Sequence, residues 1–396
     1  MELFVMNTFY YADLAEELRD SIRKHEAPLL DLCRYIWANP ELGLKEVRAC
    51  EVQTRFLREA GFQVTTPFAG QDTAYCACRG TGEVAFAFVA EYDALPEIGH
   101  ACGHNLICTA AIAAGIAAAE LLEKKGLPGR VLVMGTPGEE SYGGKVRMLE
   151  KDCLKGVDAT MMVHPSFRST PDTGCTAIRR YDITFHGKSA HAATAPELGV
   201  NALDAVMLLF QGVNAWRQQL PEDARVHGVV THGGVVPNVI PDRASARFFL
   251  RSIHDEVLEE MNERFLHIVK GAALMTGTTE EVCNFNLPYR ARRPNEVLNN
   301  IYIAAMNASG NPIVIPERGG RGSSDYGNFS KVRPGAHPYF GISPVKIPGH
   351  SVAFREAAGT PYAEKSMLDA ACAMAQAGFL FLTDPEVRAA VLEDAK

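Results

Sequence analysis

The chain lacks a basic excess, a long apolar run, a CxxC pair and a leader-like N-terminus. Each absence removes a class of function. With a formal net charge of −8 over 396 residues, no basic stripe is available for a phosphate backbone, so nucleic acid is not an expected partner. The longest uncharged apolar stretches, Leu106–Ala119 and Ala370–Thr383, are 14 residues each, short of the roughly 20 needed to span a bilayer. They read as buried core helices, and no membrane is expected. The first residues, MELFVMNTFYYADLAEELRD, carry acidic side chains where a cleavage site would lie, so a cytoplasmic location is expected. The ten cysteines form no regular framework. A chain of this length can build a core without disulfides, which implies free thiols in a reducing compartment.

What is present is an ordinary globular composition, 47% hydrophobic and 22% charged, with room for two or three domains. From Leu14 to Ala60 leucines and aromatics recur at three- and four-residue intervals, which predicts helices. Val84–Ala90, Val131–Met134 and Ala159–Val163 are short continuous apolar runs, the pattern of strands covered on both faces. Helices at Asn105–Lys125 and Lys145–Lys151 separate them, so a mostly parallel α/β sheet is expected. Between residues 179 and 293 the order becomes βαββαβ, a ferredoxin-like unit. The spacing therefore predicts an α/β domain from residues 1–178 and 294–396, interrupted by an inserted domain.

Ligands of open parallel sheets bind beyond the carboxyl ends of the strands. Reading past each predicted strand gives Asp93, His100, Cys102 and His104, then Glu139 and Glu140, then His164. A lone histidine is ordinarily a satisfied polar group, and paired glutamates are ordinarily solvated. Seven metal-competent groups at equivalent strand ends instead point to a metal site, and thiolate, imidazole and carboxylate together suit zinc or a similar ion. Other motifs fail on context. The glycines at 80 and 82 enter a strand where a dinucleotide fingerprint requires a helix, and there is no P-loop or GxSxG elbow. A nucleophilic Cys102 paired with His104 remains open as a thiol amidohydrolase, as does a binding protein without catalysis.

These residues carry a family resemblance. Glu91-Tyr-Asp-Ala-Leu-Pro, His100-Ala-Cys-Gly-His-Asn, Gly138-Glu-Glu, His164-Pro, Phe185-His-Gly-Lys-Ser-Ala-His-Ala-Ala, Asn238-Val-Ile-Pro-Asp and Gly349-His-Ser-Val-Ala-Phe follow in order over nearly the whole chain. The sequence resembles the M20 metallopeptidases, in their M20D amidohydrolase branch. The resemblance implies two divalent metal ions per subunit, zinc favoured and manganese possible, held by Cys102, His104, Glu140, His164 and His350. It implies Glu139 as the general base toward the attacking water and Asp93 as the aspartate that orients a ligating histidine. Glu91 stands where many M20 peptidases have a histidine, and Cys102 and His104 compensate for it.

The same resemblance makes the insert a lid or dimerisation domain. In it His191 would stabilise the oxyanion, often in the partner subunit's site, while Asn238 and Arg251 would bind the substrate's carboxylate end. Ser323, Ser324 and Asp325 follow a glycine run, Gly319-Gly320-Arg321-Gly322, that would bring backbone near the substrate. The implied activity is hydrolysis of the amide bond of a small N-acyl amino acid or dipeptide-like compound by a homodimer, with release of a free amino acid.

Overall fold

The computed structural model describes residues 11–317 and 322–396. It divides into two compact units. One comprises the chain up to Gly174 with the segments from Arg293 and from Asp325 to Lys396, and the other is Cys175–Arg292 joined by Ser323 and Ser324. Twelve strands are described, in chain order β1 (Gln63–Thr65), β2 (Tyr75–Thr81), β3 (Ala85–Ala90), β4 (Gly129–Gly135), β5 (Ala159–Met161), β6 (His164–Ser166), β7 (Ala177–His186), β8 (Arg225–His232), β9 (Arg243–Ser252), β10 (Thr279–Asn284), β11 (Gly335–Ala336) and β12 (Tyr339–Gly341).

In the larger unit six strands form one sheet in the order β1-β2-β4-β3-β5-β11. The strands β4, β3, β5 and β11 are parallel, as the continuous apolar runs predict. Every residue of β3, AFAFVA, is buried, as a central strand with helices on both faces requires. β1 and β2 add an antiparallel edge that the sequence reading does not contain. Their polar and cysteine-rich residues, half-exposed in alternation, do not make an apolar run. β6 and β12 form a short parallel pair, which carries the chain from β5 into the site described below.

The two apolar stretches become longer helices, His104–Lys125 and Pro361–Thr383. Each is long and apolar enough to cross a membrane by length and composition, but 94% and 83% of their apolar windows lie inside the protein. They pack against each other and against β3 at the centre of the main core. Alanine makes this close packing possible, since it adds little bulk and costs little entropy in a helix. Gly126 ends the first helix in the left-handed conformation, and the Thr360 side chain caps the start of the second, both ordinary terminators.

The smaller unit has the expected βαββαβ order. Its strands run β10-β7-β9-β8, all antiparallel to their neighbours, and the helices Ala202–Arg217 and Asp255–Thr276 pack on the sheet. Phe185, Phe248, Phe265 and Leu209 centre a core of its own. The unit begins at Cys175, four residues before the expected position, because Ala177 and Ile178 already pair with Ser252 and Arg251. Its hold on Ser323 and Ser324 has a local cause: Thr176 donates its N–H to the Gly322 carbonyl at 2.8 Å, and its hydroxyl lies 2.9 Å from that of Ser323.

Candidate metal centre

The polar residues that follow β3, β4 and β5 converge within the larger unit. Glu91, Tyr92 and Asp93 leave β3, and the chain turns through Gly103 into the helix that starts at His104. Gly103 has φ +75°, and a Cβ there would lie 2.6 Å from the Pro165 side chain. Only glycine can therefore seat Cys102 and His104 against the loop that bears His164. After β4, Gly138, also left-handed at φ +69°, opens a single helical turn, Glu139–Tyr142, that presents both glutamates. His164 begins β6. His350 comes from the far end of the chain, where its backbone N–H donates to the Ala101 carbonyl at 3.1 Å just before the helix Val352–Ala357.

Three overlapping groups have ligand atoms within 4.8 Å of one another: Cys102, His104 and His164; Cys102, Glu140 and His350; and His104, Glu139 and Glu140. All five ligands implied by the resemblance thus meet, with Cys102 shared. Cys102 Sγ lies 3.4 Å from His164 Nε2, and His350 Nε2 lies 3.6 Å from Glu140 Oε1. Of the seven strand-end residues, Asp93 and His100 are in none of these groups among the described residues. Burial keeps the His100 imidazole neutral, with a pKa lowered to about 3.

The hydrogen bonds aim the ligand atoms inward. His104 Nδ1–H donates to Asp93 Oδ1 at 3.0 Å, and Asp93 Oδ2 accepts the Glu140 backbone N–H at 3.0 Å. His164 Nδ1–H donates to the Pro165 carbonyl at 2.8 Å. Both imidazoles therefore turn Nε2 toward the cluster, the usual arrangement of a ligating histidine. His104 Nε2 and Glu140 Oε1 are buried without a hydrogen-bond partner. Such orphans are costly unless something else binds them, and a divalent cation fits this donor set of thiol, imidazoles and carboxylate.

The electrostatics agree. Burial pushes the Cys102 thiol well above its ordinary range, with repulsion from Glu140 adding to it. Burial also raises Glu139, and the neighbouring Glu91 and Glu140 charges raise it further. Burial would raise Asp93 too, but His104 outweighs it and holds the carboxyl low.

Two buried residues that the sequence reading leaves out shape this centre. Lys145 is fully buried and donates to Glu91 Oε1 at 2.5 Å and to Asp325 Oδ1 at 2.7 Å. Burial alone would lower its pKa, but Asp325 and Glu91 reverse that and keep it an ammonium. Glu46, also fully buried, accepts the Gly138 N–H at 2.8 Å and the Thr73 hydroxyl at 2.9 Å. It thereby fixes the turn on which Glu139 sits. Neither position announces itself: Lys145 lies in a short helix among Val146 and Met148, and Glu46 in a loop among other charged residues.

The smaller unit places its own candidates in two separate groups. His191 bridges to Val239, and Ala192 N–H donates to the Asn238 carbonyl at 2.9 Å, so His191 and Asn238 are neighbours. The backbone N–H groups of Ala193 and Thr194 face His191 Nδ1 at 3.2 and 3.3 Å, which puts the ring proton on Nε2. Arg251 donates instead to Ser323 Oγ at 2.9 Å. β9 separates these groups: Arg243 to Arg251 alone is eight residues, about 27 Å of strand, with Asn238 beyond its start. Within one chain Asn238 and Arg251 therefore lie toward opposite ends of β9. Asp325 belongs to the larger unit, where it is the buried partner of Lys145.

Comparison with known proteins agrees with this picture. The model of the peptidase dimerisation domain matches residues 176–275. The mouse Xaa-Arg dipeptidase is 34% identical across 92% of this chain and 88% of its own length. A p-aminobenzoyl-glutamate hydrolase polypeptide from Escherichia coli is 36% identical across 74% of this chain and 65% of its own length. Among solved structures, a dinuclear metal-binding peptidase of the M20 family from Bacillus subtilis aligns with a TM-score of 0.66, at 22% identity over 91% of this chain and 99% of that one. The chain belongs to the M20 metallopeptidase family, in its M20D branch, and is an amide-bond hydrolase.

Proposed function

We propose that this hydrolase is metal-dependent and cleaves N-acyl amino acids or dipeptide-like compounds, releasing a free amino acid, with Glu139 as general base. The observation that carries the reading is the meeting of Cys102, His104, Glu140, His164 and His350, with Glu139 against them. Two divalent ions held by those five residues would supply Lewis acidity toward the scissile carbonyl and a water able to ionise near neutral pH. Zinc is favoured because the donor set includes a thiolate, and manganese is the alternative.

Glu139 takes the proton from the attacking water and delivers it to the leaving nitrogen. Glu140 cannot share that work while its oxygens hold metal. Asp93 keeps His104 in the tautomer that presents Nε2. His191, whose Nε2–H points away from its backbone contacts, donates to the oxyanion, and Arg251 holds the substrate carboxylate by its planar guanidinium. Because Asn238 and His191 lie at the opposite end of β9 from Arg251, we assign the two groups to different sites of a homodimer. β8 is an edge strand with Val229 and Val230 exposed, a surface suited to a second copy. The relatives' names support the substrate class: a dipeptidase and an acyl-glutamate hydrolase.

A panel of N-acyl amino acids and dipeptides, screened by mass spectrometry with and without chelator, tests this reading. Chelated enzyme should be inactive and should recover with added Zn²⁺ or Mn²⁺. Activity that survives chelation but dies on thiol alkylation would replace the metal reading with a Cys102 nucleophile.

A further inference from the structure

Lys145 follows Glu139 on the next helix, Gly144–Leu149. Its ammonium has no exposure to solvent. Besides its two side-chain bonds, its backbone N–H donates to Asp325 Oδ2 at 2.9 Å, so Asp325 grips both ends of the residue. Around this ammonium stand three buried carboxylates, Glu91, Glu139 and Asp325, whose oxygens lie within 4.8 Å of one another. Hard oxygen donors at that spacing are what magnesium, calcium or manganese take. The pocket also adjoins the metal centre, since Glu91 Oε2 is 3.7 Å from His104 Nε2.

A divalent ion among these carboxylates would draw on Glu139. A carboxylate whose oxygens are bound to metal cannot accept a proton, so such an ion would disable the base. We propose that Lys145 is the resident cation of this pocket: its ammonium excludes divalent metal from Glu91, Glu139 and Asp325 and confines it to the centre built on Cys102. Lys145 is thus a positioning residue that sets how many metal ions the chain holds. Because the ammonium is tethered, a competing ion must displace a side chain whose backbone N–H Asp325 also holds. The consequence for catalysis rests on the proposed role of Glu139; the ion count does not.

The test is the Mn²⁺-to-protein ratio of full-length wild type and Lys145→Ala, measured by elemental analysis after equilibration with Mn²⁺ and removal of free ion. Lys145→Ala should hold about one ion more per chain than wild type, since an oxygen-lined vacancy replaces the ammonium. Its turnover should fall as that ion loads, whereas wild type keeps its activity at the same Mn²⁺ concentration. A folded Lys145→Ala with the wild-type ratio overturns the proposal. If the variant is recovered only as aggregate, refolding with Mn²⁺ decides: folded protein carrying the extra ion supports the assignment, and no recovery with any divalent ion contradicts it. Wild type that binds no metal would contradict the metal-centre reading instead, while the difference between variant and wild type would still judge Lys145.

Discussion

Asp93 serves two ligands with its two oxygens, accepting from His104 Nδ1–H and from the Glu140 backbone N–H. An amide in its place would turn a donor toward one of those donors. Asp93→Asn should therefore weaken metal binding by about 10- to 100-fold, the cost of losing an outer partner of a ligand, with little change in fold. Competition against a chromophoric chelator measures this, and unchanged affinity would reduce Asp93 to a packing role. At this scale the sequence was informative where chemistry follows an apolar strand. Asp93, Cys102, His104, Glu139, Glu140 and His164 all lie just past such runs. Lys145 and Glu46 do not, and only the folded chain reveals that they are buried. His350, from a loop near the other terminus, was legible through its motif and not through any periodicity.

The turn from Gly138 to Tyr142 carries the proposed base, and Glu46 secures it from another loop. Burial, with repulsion from Asp93 adding to it, raises the Glu46 pKa to about 7 from an ordinary 4.5. The folded state thus binds a proton that the unfolded state releases between these values. This contribution to stability is complete below about pH 4.5 and is lost as pH rises through about 7. Glu46→Gln removes the titration. From pH 4.5 to pH 8 its stability relative to wild type should improve by up to about 3 kcal/mol, as read from urea unfolding at several pH values. A difference that stays constant with pH would mean that Glu46 does not titrate. The elements themselves were read well where period and apolarity agreed, as in the βαββαβ unit and the helix His104–Lys125. β1, β2 and β11 were missed because two are only two or three residues long and β2 alternates cysteine with small and polar residues.

As a whole, the chain builds its metal centre from both of its ends and places two further groups of candidate residues at opposite ends of β9. On the proposed reading, that separation divides the candidate residues between two subunits. Complementation tests it. In Glu139→Ala the base is gone, but Cys102, His104, Glu140, His164 and His350 remain, so metal content should match wild type while turnover disappears. His191→Ala keeps the base and loses an oxyanion donor, which should cost about 10²–10³ in turnover. The decisive measurement mixes the two variants, with metal loaded and subunits exchanged, and follows amide hydrolysis. If Glu139 of one subunit works with His191 of the other, half of the dimers are mixed and each has one intact site, so activity should return to about a quarter of wild type. No recovery from two folded, metal-loaded and exchanging variants would contradict a site in which Glu139 is completed by a second copy of the chain.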